Sequence, residues 1–378
     1  METYDVLVVG GGPAGSSCAR LLAAGGLDVV VLDRADFPRP KVCAGWVTPQ
    51  VFEALGIEPA ASGRGRVLQP RQGFRVGVQG GRLVEVRYRE AVSYGVRRAE
   101  LDDFLLRGCG ARLRLGEPLA SLERRGGRWV ANGEIGAPFV VGAGGHACPV
   151  ARRLGGAKGP AVAAQEVEFP IGGSPCPVAG DTPELWFTDD LRGYGWCIRK
   201  GGFLNVGLGV EGASDVKHRF AAFLASLPAL PGGLREGGAG AFRASGWAYR
   251  LWGRGPRGLT GDGVLLAGDA AGLAYPESGE GIRPAVESGL LAARAILEAR
   301  GDPRPERLRG YEEALRERLG PPRPAGPPPA GLRRAAARLL LASAPLARRV
   351  VLDRWFLRRG ERALETPFGG SGSRRRFA

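Results

Sequence analysis

The chain has 378 residues but only two histidines, His146 and His218, one methionine, and four lysines, Lys41, Lys158, Lys200 and Lys217. Its six cysteines, Cys18, Cys43, Cys109, Cys148, Cys176 and Cys197, form no C-x-x-C pair and no zinc spacing. With so few imidazoles and no paired thiols, no metal centre is expected. A reduced, cytoplasmic chain is the simplest expectation. No basic-apolar leader precedes the first strand-like run, so no signal peptide is expected. No apolar run reaches about 18 residues, so no transmembrane helix is expected. There is no internal repeat, and the glycines follow no three-residue period, which excludes collagen.

Glycine and arginine are abundant. Glycine supplies 63 residues and hydrophobic types make up 44%, enough for a substantial core. The length suggests two domains or one large composite unit. The formal charge is +15, and much of it is terminal. From Gly331 to Ala378, 12 arginines face only Asp353, Glu361 and Glu365. Such an end can meet anionic lipid, nucleic acid or an acidic partner. No nucleic-acid module is recognisable, so no nucleic acid is expected.

The opening reads as strand, glycine-rich turn, helix and strand: Tyr4 to Val9, Gly10 to Gly15, Ser16 to Ala24, then Asp28 to Leu32. In Gly10-x-Gly12-Pro13-Ala14-Gly15, Gly10 permits the tight turn and Gly12 the approach of a pyrophosphate. Gly15 permits helix–strand packing. The first N–H groups of that helix then face the phosphates. Asp33 ends the second strand, where a carboxylate accepts ribose hydroxyls, and Arg34 follows it. A second pattern comes late. The buried run Gly263 to Ala267 leads into Gly268-Asp269-Ala270-Ala271-Gly272, then through Gly279-Glu280-Gly281-Ile282 into a helix to Arg300. Asp269 is placed to hold a ribityl hydroxyl, and the helix end to face the flavin N1 and O2 region. Between the two patterns, Phe74 to Tyr94 suggests a hairpin about Gly80-Gly81, and Arg98 to Arg107 a helix. Val162 to Val210 reads as strands of an antiparallel sheet.

Together these segments resemble the p-hydroxybenzoate hydroxylase-type flavoproteins, and within them the geranylgeranyl reductase family. Arg98 in V-R-R-A-E-L-D is similar to the segment whose arginine contacts the FAD phosphates. Lys41-Val42-Cys43-Ala44-Gly45 resembles the family's K-x-C-G-G segment beside the flavin. Tyr194-Gly195-Trp196 and Asn205-Val206-Gly207-Leu208-Gly209 resemble its Y-x-W-x-F-P segment and following strand. Gly144-Gly145 stands where the family has Asp-Gly, and Ile198-Arg199 where it has Phe-Pro. Ala44 and Trp46 also alter the K-x-C-G-G segment.

The resemblance implies an α/β fold. A discontinuous Rossmann-like FAD domain would comprise 1–75, 95–160 and 256–300, with Gly144 among its cofactor-binding residues. An antiparallel substrate domain would comprise 76–94 and 161–255, followed by C-terminal helices and a basic tail over 301–378. The implied reaction reduces a carbon–carbon double bond of an apolar, isoprenoid-like or lipid substrate. A flavin monooxygenase is the alternative, then a halogenase. The electron donor stays open between NAD(P)H and a small carrier. Cys43 beside a flavin is either a proton donor or adduct-forming thiol, or a small apolar filler. Cys148 is a second thiol placed near the cofactor, and His146 a polar loop residue. Tyr194 and Trp196 share one face of a strand, as substrate wall or as core. Beyond Pro321 to Pro329, apolar residues from Leu332 to Val351 recur at helical spacing among arginines. This element is expected to lie on an anionic membrane, giving a peripheral location, or to pack on the body or a partner.

Overall fold

The computed structural model describes residues 1–156, 159–172, 175–227, 243–256, 258–322 and 329–368. The final segment 369–378, expected to fray, and most of the proline-rich stretch lie outside the described residues.

Four short apolar runs form the centre of a six-stranded sheet. Val6–Val9, Val29–Leu32, Phe139–Gly142 and Val264–Leu266 are buried at every position, as strands covered on both faces must be. They pair in parallel in the order Val264–Leu266, Phe139–Gly142, Val6–Val9, Val29–Leu32, with Arg112–Arg114 and Thr260–Gly261 at the edges. Helices Pro13–Ala24, Arg98–Arg107 and Ile282–Ala299 share the core of this sheet. A four-stranded sheet joins the same core through Leu122, Ala131, Ile135 and Ala137. The Ile282–Ala299 helix is apolar nearly all round because it packs against both the first helix and Pro305–Leu319. Its Arg283 and Glu287 are buried as an i,i+4 pair 2.9 Å apart.

A seven-stranded sheet forms the second half. Its order is Ser245–Tyr249, Val162–Pro170, Phe203–Glu211, Gly193–Lys200, Glu184–Phe187, Gly73–Val78, Val84–Arg87. The hairpin about Gly80 is present, but its second strand ends at Arg87. Ser93–Val96 instead pairs with Trp46–Val47 and Leu68–Arg71 in a small third sheet. The large sheet is antiparallel except where Glu184–Phe187 meets Gly73–Val78 in parallel. Those two strands come from distant stretches of chain, so no tight turn imposes opposite directions.

The C-terminal segment is helical over Ala330–Leu341 and again from Ala344 into the wide-wound Ala347–Phe356. Leu341, Ala347, Val351, Leu352 and Phe356 pack onto Phe74, Val76, Leu185 and Phe187 of the large sheet. This element is therefore part of the body. Its outward face carries Leu332 and Leu339, 63% and 64% exposed.

Candidate functional site

The glycine-rich turn is built by close approaches. Gly10 has φ +112°, and a Cβ there would lie 2.4 Å from the Ala143 carbonyl oxygen of the neighbouring strand. A Cβ on Gly15 would lie 1.8 Å from the Gly10 carbonyl oxygen, so only glycine lets the helix start so near the strand. Asp33 braces this turn. Its Oδ2 accepts the Gly11 N–H at 2.7 Å and its Oδ1 the Ala35 N–H at 2.9 Å. Each oxygen keeps a second lone pair for a ribose hydroxyl. Above the turn, Arg98 makes a bidentate pair with buried Asp102 at 2.8 and 2.9 Å. Arg39 reaches the same carboxylate at 3.6 Å. Two guanidinium groups against one carboxylate leave net positive charge beside the turn.

On the opposite wall, Asp269 lies 4.0 Å from Lys41 Nζ, which also sits 3.9 Å from the centre of the Trp247 ring. Burial lowers the Lys41 pKa to about 8 against the pull of Asp269. Glu280 lies between Gly279 and Gly281 at the start of the Ile282–Ala299 helix. Its Oε1 accepts the Arg283 N–H at 2.8 Å. Burial pushes its carboxyl up to about 7, opposed by the Arg283 N–H and guanidinium.

Cys43 is half-buried; its Sγ accepts the Gly45 N–H at 3.4 Å and faces Arg98, and its peptide groups are held as well. Its N–H donates to Glu166 Oε2 at 2.8 Å, and its carbonyl accepts from Lys200 Nζ at 3.4 Å. Lys200 is fully buried and pairs with Glu168 at 2.8 Å, which also accepts from Arg97 at 2.9 Å and Asn205 at 3.2 Å. Asn205 Oδ1 in turn accepts the Trp196 indole N–H at 2.6 Å. Strand alternation explains the cluster: Glu166 and Glu168 share a face, as do Tyr194, Trp196 and Lys200. Trp196 lies flat over its cross-strand partner Gly207, where a Cβ would come within 2.1 Å of the indole. The ring spacing from Tyr194 to Trp196 is 6.0 Å, and Phe356 stands 5.3 Å from Tyr194 and 5.0 Å from Trp46. The Tyr194 hydroxyl donates to the Ser278 carbonyl at 2.8 Å, tying the large sheet to the loop before Glu280.

One cavity of about 540 Å³ runs between these groups. Gly10, Gly12, Pro13, Ala14, Asp33, Arg34, Lys41, Cys43, Ala44 and Arg98 line it. So do Gly144, Tyr194, Trp196, Gly268, Asp269, Gly279, Gly281 and Ile282. Of the residues expected at the site, Gly15 is absent from that wall, because it is spent on helix–strand packing. Cys148 lies fully buried behind Gly144, and burial raises its thiol pKa. His146 faces Arg250 at 3.2 Å. Arg39, Glu280, Trp247, Tyr249 and Phe356 line the cavity without having been singled out from sequence. Only Glu280 carried a sequence signal, its place within Gly279-Glu280-Gly281.

The residues fit FAD on their own geometry. A Cβ on Gly12 would project into the groove with only the Arg39 tip near it, at 3.4 Å, so its hydrogen leaves room for phosphates. The helix N-terminus, Arg39 and Arg98 supply donors and charge there. The fold and this two-walled groove define a nucleotide-dependent oxidoreductase. An FAD dependent oxidoreductase family model matches residues 5–101. The chain is 33% identical over 327 residues to a menaquinone reductase of Mycobacterium tuberculosis, covering 78% of this chain and 77% of the relative. It is 30% identical over 345 residues to digeranylgeranylglycerophospholipid reductase 1 of Methanothermobacter thermautotrophicus, covering 84% and 83%. Among solved structures, a geranylgeranyl bacteriochlorophyll reductase-like protein of Thermoplasma acidophilum superposes with TM-score 0.70 at 23% identity, covering 92% and 90%. A flavin-dependent brominase shares the fold at TM-score 0.68 and 18% identity, covering 94% and 93%. The chain belongs to the geranylgeranyl reductase family of FAD-dependent oxidoreductases.

Proposed function

We propose that the chain reduces carbon–carbon double bonds in an apolar, isoprenoid-type substrate. The observation that carries this reading is the continuity of the cavity. The cavity that fits FAD is lined also by Cys43 and by Trp46, Tyr194, Trp196 and Phe356. Such walls offer dispersion contacts and few polar partners, as a polyprenyl chain requires. The names of the relatives, reductases of menaquinone and of a geranylgeranylated phospholipid, point the same way.

Gly10, Gly12, Pro13, Ala14 and the arginines Arg34, Arg39 and Arg98 would hold the pyrophosphate end. Asp33 would take the ribose, and Asp269 with the loop from Gly279 to Ile282 the ribityl and ring end. When bound, the flavin supplies hydride chemistry that no side chain can supply. The protein's part is orientation and exclusion of water. Lys200 and Glu166 fix the Cys43 loop from behind, so the thiol side of the cavity keeps its shape. A proton donor at this end completes the addition of hydrogen to the alkene.

The test is anaerobic. Flavin bound to the purified protein is photoreduced and offered menaquinones, polyprenyl lipids and polyenes. Reoxidation by a polyprenyl substrate is expected. Reoxidation only by oxygen with an aromatic substrate would overturn the reading in favour of a monooxygenase.

The outward face of Ala330–Leu341 adds a location. Leu332 and Leu339 are one heptad apart and exposed, with Arg338 exposed on the same helix and Arg334 exposed but paired with Asp189 at 2.9 Å. Apolar groups among cations suit the surface of an anionic bilayer, where polyprenyl lipids reside.

A further inference from the structure

We propose that Glu280 is the acid that protonates the substrate carbon. This deepens the reductase reading and rests on it. Three carboxyl groups line the cavity among the described residues: Asp33, Asp269 and Glu280. Asp33 is committed to two N–H groups of its own turn, and Asp269 faces the Lys41 ammonium. Among the described residues Glu280 has no ion-pair partner within 4.0 Å. The nearest cation, Arg283, is taken up by Glu287 at 2.9 Å.

The position of Glu280 is fixed from three sides. Its N–H donates to Ser278 Oγ at 3.3 Å, and its carbonyl accepts the Tyr275 N–H at 3.0 Å. The Arg283 N–H holds Oε1 at 2.8 Å, and the Ile282 N–H also donates to the carboxyl. Glu280 is partly exposed and lines the cavity. The other groups facing it are Arg283 and Glu287 on the helix that follows, Tyr275 before it, and Tyr194 on the large sheet. Tyr194 is a poor substitute donor. Its hydroxyl is already given to the Ser278 carbonyl, and burial raises its pKa further. Burial holds the Glu280 carboxyl up to about 7, so a large share carries its proton at neutral pH.

The balance is simple. The alkene π bond is lost and two C–H bonds form. One hydrogen would be supplied as hydride by the reduced flavin, which would be the group oxidised. The other is the proton leaving the Glu280 carboxyl, and the carboxylate is reprotonated from solvent.

The test compares wild type, Glu280→Gln and Glu280→Asp as flavin-loaded proteins, photoreduced without oxygen and mixed with a polyprenyl substrate. Glu280→Gln is expected to slow reoxidation about 10²- to 10⁴-fold, the usual worth of a general acid. Glu280→Asp should recover part of that loss. Wild-type reoxidation should decline as pH rises through about 7, and the residual Glu280→Gln rate should not. Flavin-free protein gives an independent readout. A carboxyl NMR titration should show one glutamate titrating near 7 that vanishes in Glu280→Gln. A Glu280→Gln protein that keeps the wild-type rate and pH profile would overturn the assignment while leaving the reductase reading intact. So would a flavin-free wild type with no such carboxyl. A wild type that no polyprenyl substrate reoxidises would overturn both.

Discussion

Cys43 is positioned through its peptide groups, by residues 123 and 157 positions away in sequence. Glu166 accepts its N–H and Lys200 donates to its carbonyl. Glu166→Ala would leave a part-buried N–H without its acceptor, a loss of about 1–3 kcal/mol. A shift of the urea midpoint measures this, and an unchanged midpoint would show that the loop needs no such brace. Cys43→Ala is expected to lower turnover with polyprenyl substrate while the absorbance of bound flavin stays the same. Equal turnover would show that the thiol is not needed in the cavity wall. Lys41, Cys43, Asp33 and Asp269 were legible in sequence because each lies inside a local pattern with fixed spacing. Glu166, Lys200 and Arg39 were not, because their roles come from contacts between distant segments. A glutamate on an alternating strand reads as a solvent-facing residue until its cross-sheet neighbours are known.

At the level of elements, the C-terminal segment does two jobs on two faces. Inward, Phe356 is buried against Trp46, Phe187 and Tyr194 and forms part of the cavity wall. Phe356→Ala should cost about 3–5 kcal/mol of stability, as for other large-to-small core changes. It should also raise KM for polyprenyl substrate through lost wall contacts. Denaturation and steady-state kinetics check the two parts separately. Outward, Leu332 and Leu339 carry no core contact. Leu332→Asp with Leu339→Asp should leave the melting temperature unchanged and reduce co-sedimentation with vesicles of anionic lipid. Equal sedimentation would sink the membrane reading. The helical spacing of this segment was visible in sequence, but its partner was not. Periodicity marks an apolar face without saying what covers it. The polar helix Pro305–Leu319 falls within the stretch expected to be helical, but its bounds are not legible because only Leu308, Tyr311 and Leu315 mark its buried stripe.

For the whole molecule, the parallel sheet brings strands near the N-terminus beside Phe139–Gly142 and Val264–Leu266, and the site forms where they meet. That much was legible, because the Gly10-to-Gly15 turn and the Gly268-Asp269 turn each follow an unbroken buried strand. The parallel pair in the large sheet and the switch of Ser93–Val96 to a third sheet were not. Local alternation fixes a strand without fixing its neighbour.

Glu280 also couples the site to global stability. Its carboxyl rises from 4.5 to about 7 on folding, so between those values the native chain binds a proton that the unfolded chain has lost. This contribution is fully present below pH 4.5 and falls away as pH rises through about 7. The difference in melting temperature between wild type and Glu280→Gln should change over that window and level off above it. A difference independent of pH would contradict the raised carboxyl.

The most direct test of the central claim is the mass of the product. Photoreduced protein is mixed with a polyprenyl lipid in the absence of oxygen, and the extracted lipid is weighed by mass spectrometry. A substrate heavier by two hydrogens, formed in proportion to flavin reoxidised, is the predicted result. An unchanged lipid without oxygen, together with an oxygenated or halogenated product once oxygen is admitted, would contradict it.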